Sequence, residues 1–123
     1  MTRSFKLGMA AVCLALVLGG CAGGLEGDKQ AAIKRIEAYI ASQPALDPET
    51  ASEMRAFRLR NGMTEAEVRA TWGEPEEILK AYDNLTEWRF SCAFPHLCRN
   101  RPGERVIKPN AFFIDGKLGR WNN

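Results

Sequence analysis

Between Gly62 and Pro75 the sequence writes a short helix with both ends specified, and the rest of the chain has to be built around it. Thr64 and Glu67 have the spacing of a capping box, and Met63 and Val68 stand at the two positions of a hydrophobic staple. Gly73 and then Pro75 supply the stop. Val68 and Trp72 lie four residues apart on one face, so that face needs a partner layer. After Pro75 the hydrophobic period changes from helical to alternating. Ile78 to Tyr82 predicts a short strand, Asp83-Asn84 a turn, and Thr86 to Cys92 a strand with Thr86, Trp88, Phe90 and Cys92 on its inner side. Ala111 to Ile114, Asp115-Gly116 and Lys117-Leu118 read as a hairpin with a type I′ turn, and Trp121 falls just beyond it.

Two further helices are expected upstream. The first runs from about Asp28, its cap, to Gln43, with Ile33, Ile36, Tyr39 and Ile40 on one stripe and Pro44 ending it. Asp47-Pro48-Glu49 opens the second, a cap followed by proline at the first helical position, with Met54 and Phe57 turned inward. Arg55, Arg58 and Arg60 read as a solvated face. Together these signals predict an α+β domain, with N-terminal helices packed on a small antiparallel sheet of three to four strands. Its extent is 28–123, with the core between 61 and 121. In this arrangement Trp88, Phe90, Phe113 and Leu118 form the face on which Val68 and Trp72 pack.

The first twenty residues do not belong to that domain. Arg3 and Lys6 precede an apolar run from Leu7 to Leu18, which has the form of a secretory signal and is short for a membrane span. Leu18-Gly19-Gly20-Cys21 looks like the lipobox of bacterial lipoproteins. In that reading 1–20 is removed, Cys21 is acylated (palmitate labelling is expected), and 21–27 is a lipidated tether; an ordinary signal peptide or an uncleaved anchor is the alternative. Each buried methylene of an acyl chain contributes about 0.8 kcal/mol to membrane binding. The whole chain carries 17 Lys and Arg against 15 Asp and Glu, and loss of Arg3 and Lys6 brings the two into balance. A neutral chain has no net field to draw in a polyanion, so nucleic acid is not an expected partner.

Cys13 leaves with the signal and Cys21 is taken by lipid, which leaves Cys92 and Cys98 of the four cysteines. Export to an oxidising compartment favours a disulfide between them. A metal site built from Cys92, His96 and Cys98 is the rival, but it stops at three ligands because His96 is the only histidine. Neither a metal nor a cofactor is expected. The sequence has no G-x-S-x-G, no H-E-x-x-H and no phosphate-binding G-x-x-x-x-G-K-S/T, so no residue is assigned a catalytic role. The Glu74, Glu76 and Glu77 cluster reads as a solvated acidic turn rather than a carboxylate pair.

The lipobox and tether, then Gly62-Met63-Thr64 through Val68 to Trp72-Gly73-x-Pro75, then Trp88-Arg89-Phe90 and Phe113-Ile114-Asp115-Gly116-Lys117-Leu118, together resemble the SmpA/OmlA (BamE-like) outer-membrane lipoprotein family. The resemblance covers roughly 61–118. It implies a BamE-like fold and a non-catalytic accessory or scaffold role in outer-membrane β-barrel assembly or envelope integrity. It also implies attachment to the outer membrane by a lipid anchor, facing the periplasm, with assembly components or another envelope protein as partner. The fold resembles that of β-lactamase inhibitor proteins as well, which implies the alternative of a lipid-anchored periplasmic module that binds or inhibits a soluble protein. Two features depart from the family pattern: the helices before Gly62 and the Cys92 to Cys98 loop.

That loop is where a partner is expected to bind. Phe94, His96 and Leu97 sit at its tip, and Arg99, Arg101, Arg105 and Lys108 face the single Glu104, which makes the segment locally positive. A tip held by a disulfide loses less entropy on binding, and its apolar side chains offer a compact anchor. In the competing arrangement Phe94 and Leu97 tuck beneath the loop and the cations are simply solvated.

Overall fold

The computed structural model describes residues 24–96, 98, 102–103 and 105–122. The lipobox, Cys21, Leu97, Arg99 and Arg101 lie outside the described residues. Three helices, α1 (Gly24–Ser42), α2 (Pro48–Arg55) and α3 (Glu65–Trp72), precede four strands, β1 (Glu77–Tyr82), β2 (Leu85–Arg89), β3 (Asn110–Ile114) and β4 (Lys117–Asn122). The strands form one antiparallel meander in the order β1-β2-β3-β4, with α3 against β4 and α1 and α2 packed on α3 and on each other. This is the expected α+β architecture.

The helix from Glu65 to Trp72 forms as its sequence specifies. Thr64 Oγ1 accepts from the Glu67 N–H at 3.1 Å, and Glu67 Oε1 accepts from the Thr64 N–H at 2.8 Å, which closes the capping box. Gly73 ends the helix with a φ of 92°, a conformation that L side chains rarely adopt. Met63, Val68 and Trp72 are buried together with Trp88, Phe90, Ala111, Phe113 and Leu118 in one cluster, to which Ile36, Met54 and Leu59 add the contribution of the preceding segments. Trp88 and Phe113 lie 4.5 Å apart between ring centroids. Above Trp88 the guanidinium of Arg69 sits 4.7 Å from the ring centre, while its Nε contacts Glu74 at 2.8 Å.

Helix α1 starts earlier than expected. It begins at Gly24, so 24–27 is helical rather than tether, and Asp28 lies inside the helix rather than capping it. Glu26 in the first turn complements the positive end of the helix dipole and accepts from Gln30 Nε2 one turn on, local support that the glycines around it conceal. Of the apolar stripe, Ile36 is fully buried and Ile33, Tyr39 and Ile40 partly so.

Asp47 caps α2 as predicted and Pro48 opens it. Its far end departs from expectation: Phe57 lies past the helix at φ 61°. The Phe57 N–H donates to Met54 O and the Arg58 N–H to Glu53 O, both at 2.9 Å, the double bond pattern that usually recruits glycine. Arg55, Arg58 and Arg60 are more than solvated. Arg55 pairs with Glu37, Arg58 with Glu53, and Arg60 with both Asp47 and Glu49, linking α1, α2 and the loop that follows.

In the β3–β4 hairpin, Asp115 and Gly116 both have positive φ, as a type I′ turn requires. The Asp115 N–H donates to Asn84 O at 2.9 Å, so the turn of one hairpin is tied to the turn of the other. Strand β2 ends at Arg89, although the Phe90 N–H still donates to Pro109 O, and Cys92 is exposed rather than on the inner face.

Candidate functional site

The Cys92–Cys98 disulfide is formed, with the two Cα atoms 5.1 Å apart. Both sulfurs are thereby consumed, and neither is a nucleophile or a metal ligand while the bond stands. Among the described residues no three of His, Cys, Asp and Glu come close enough to hold a metal ion.

Phe94 and His96 turn inward within the loop closed by the disulfide, so for these two the tucked arrangement is observed in place of an exposed tip. His96 is only 3% exposed; its ring stands edge-on to Trp72 at 4.3 Å and lies 5.5 Å from Phe90. Phe94 is half-buried and meets Phe57 edge to face, centroids 4.9 Å apart. Neither side chain is presented to a partner in this arrangement. The physical reason is the aromatic surface left by the helices: Trp72 closes α3, and Phe57, held in its left-handed conformation, projects toward the same place. Trp72 Nε1 donates to Phe57 O at 3.2 Å and locks these two together. Covering this surface removes it from water, and edge-on ring pairs contribute roughly 0.5–1.5 kcal/mol beyond the area buried.

A small cleft of about 170 Å³ remains beside this plug, bordered by Arg35, Gly73, Glu74, Ser91, Phe94 and His96. Arg35 reaches it from α1. Its Nε donates to Ala70 O at 2.7 Å and its Nη2 to Thr71 O at 3.4 Å, so it satisfies carbonyls left open at the end of α3 and places a cation at the negative end of that helix. Burial draws its pKa below the ordinary arginine value, yet a guanidinium remains charged throughout the physiological range. The cleft is a seam between helices and loop, and Arg35 is its structural clasp. Sequence reasoning passed over Arg35 because its partners lie about 35 residues away; its place on α1 next to the buried Ile36 was the only local sign.

What the structure does present to solvent lies just beyond. Arg105, Val106, Ile107 and Lys108 are all exposed, Ile107 to 76%. Of the expected partner-binding residues, Arg105 is therefore on the surface, Phe94 is half-buried, His96 is buried, and Leu97, Arg99 and Arg101 fall outside the described set. Lys108 Nζ meets Glu76 at 2.7 Å and anchors this segment to the start of β1. The face of the sheet away from the helices is also open, with Leu79, Leu85 and Phe112 half-buried and Ile114 exposed.

Comparison with known proteins finds no family model that matches the chain, no similar curated protein and no similar solved structure.

Proposed function

We propose that this chain is a lipid-anchored, non-catalytic accessory protein of the outer membrane, facing the periplasm and contacting a larger envelope assembly, in the manner of the SmpA/OmlA family it resembles. The observation that carries this reading is the order of features along the chain. A basic start, an apolar run and Leu18-Gly19-Gly20-Cys21 lead directly into α1. Support comes also from the Gly62 to Pro75 segment, a capped helix against the sheet, and from Asp115-Gly116 in a hairpin turn. No helix among the described residues is long and apolar enough to cross a membrane, and in this reading acyl chains on Cys21 supply the hold. The partner contact then falls on Arg105, Val106, Ile107 and Lys108, two cations flanking two exposed aliphatic side chains.

A second reading is favoured by the open outer sheet face with Leu79, Leu85, Phe112 and Ile114, namely a periplasmic module that binds a soluble protein through its sheet. Expression in a Gram-negative host with radioactive palmitate tests the anchor: the chain should be labelled and Cys21→Ser should abolish the label. Mild cross-linking followed by pull-down then separates the partners. Recovery of barrel-assembly components supports the accessory role, and recovery of a soluble enzyme through residues of the sheet replaces it.

A further inference from the structure

The two outer strands of the sheet are treated differently. The far side of β4 is occupied at its start: the Gly62 N–H donates to Leu118 O at 2.7 Å, the Leu118 N–H donates to Met63 O at 2.8 Å, and Thr64 bridges to Lys117. Strands β2 and β3 have neighbours on both sides. Among the described residues nothing pairs with the outer side of β1, so this strand offers a row of backbone donors and acceptors to another strand.

The side chains along that edge are complementary to themselves. Ile78 stands opposite Trp88 and Lys80 opposite Thr86, so both point to the helix side of the sheet, and Glu76 precedes them by the same two-residue step. A twofold axis normal to the sheet at Ile78 sets a second strand antiparallel to the first. Glu76 then faces the second copy's Lys80, Ile78 faces its own counterpart, and Lys80 faces Glu76. A register centred on Lys80 would oppose two lysines, and one centred on Leu79 would set each Lys80 against an isoleucine, so charge selects the first.

Three observations agree with it. Ile78 is 52% exposed although it lies on the side that the helices cover elsewhere. Lys80 makes no ion pair among the described residues, while Glu76 already holds Lys108 and has room for a second cation. The pairing with β2 is irregular between Lys80 and Tyr82, which ends the regular edge just where the complementary stretch ends.

We propose that β1 pairs with β1 of a second copy of this chain, antiparallel about Ile78, to give a dimer with one eight-stranded sheet. Sedimentation velocity on the purified full chain in mild detergent should show a concentration-dependent dimer. Lys80→Glu should raise its dissociation constant by roughly tenfold, and the double exchange Glu76→Lys with Lys80→Glu should restore it. Residues directly opposed across antiparallel strands lie within disulfide reach, so Ile78→Cys should cross-link copy to copy under oxidation, beyond the level of the unsubstituted chain, and Leu79→Cys should not. Lys80 makes no ion pair among the described residues, so an unchanged Tm for Lys80→Glu at a dilution where both proteins are monomeric separates loss of pairing from loss of fold. A monomer at every concentration, a dimer indifferent to Lys80→Glu, or cross-linking at position 79 in preference to 78 overturns the proposal.

Discussion

Strands β3 and β1 are each paired antiparallel along their length, yet β3 buries Ala111 and Phe113 while β1 leaves five of its six residues exposed. Each has an antiparallel ladder with β2, and β3 carries a second one with β4. What differs besides is the cover: α3 and its capping segment share one buried cluster with β2, β3 and β4, to which no residue of β1 belongs, and the Arg69 side chain lies over Trp88. Ladder hydrogen bonds exchange for bonds to water at small net gain, whereas burial of apolar surface contributes about 25 cal/mol per Å². Pairing therefore sets the geometry of the sheet, and the helix layer decides which half of it is stable.

The largest expected effect tests that division directly. Phe113→Ala should cost about 3–5 kcal/mol, as large core truncations do, whereas Ile78→Ala should cost below about 1 kcal/mol. Thermal or urea unfolding of the two variants measures both, and equal losses would break the comparison. Reduction of the disulfide comes next. The closed loop is short, and the chain-entropy argument gives it about 2 kcal/mol. Because the loop carries His96 onto Trp72, reduction should also shift tryptophan emission, which a disulfide confined to a solvated loop would not do.

Removal of the cap should be smaller again. Thr64→Ala should lose about 1 kcal/mol, and hydrogen exchange should rise in α3 and β4 with little change in β1. The weakest expected effect is that of acid. Hydrogen bonds from Arg55, Arg60 and Arg58 hold the Glu37, Asp47 and Glu53 carboxyls below their ordinary pKa values. Carboxyls with lowered folded pKa values stabilise the fold above their unfolded pKa, and the contribution disappears as pH falls through the folded values. Glu37 and Asp47 are solvent-exposed and Glu53 half-exposed, so the loss below about pH 4 should be small and further reduced by salt. It should weaken the α1–α2 junction and leave the sheet unchanged, as a pH series of exchange rates would show.

The same division governs how much was legible in the sequence. Helix α3 and the β3–β4 hairpin were readable because their instructions are local: Thr64 and Glu67 three apart, Gly73 at positive φ, Asp115-Gly116 between alternating strands. The disulfide followed from elimination and compartment. The inward turn of His96 was not readable and that of Phe94 was one of two open arrangements, because both depend on Phe57 and Trp72 arriving at one place from separate elements. Phe57 was misplaced for a related reason. A non-glycine residue in the left-handed region costs roughly 1 kcal/mol or more, so sequence rules reserve that position for glycine. Here the ring contact with Phe94 and the carbonyl bond from Trp72 offset that cost. The early start of α1 was hidden by glycines whose low helix propensity outweighed the Glu26–Gln30 pair in a local reading.

The bonds between Gly62–Met63 and Leu118 have a kinetic consequence. Every strand pairing in the meander joins neighbours in sequence, β1–β2 and β3–β4 across two-residue turns and β2–β3 across 90–109. The Gly62 to Leu118 contact is different, because it closes a loop that contains α3 and nearly the whole sheet. Its entropy must be lost before Met63 and Val68 gain cover from Leu118, which places docking of the capped helix late on the route to the native state. Substitutions at Leu118 should then speed unfolding and leave the folding rate nearly constant, whereas substitutions within the β2–β3 pair should slow folding.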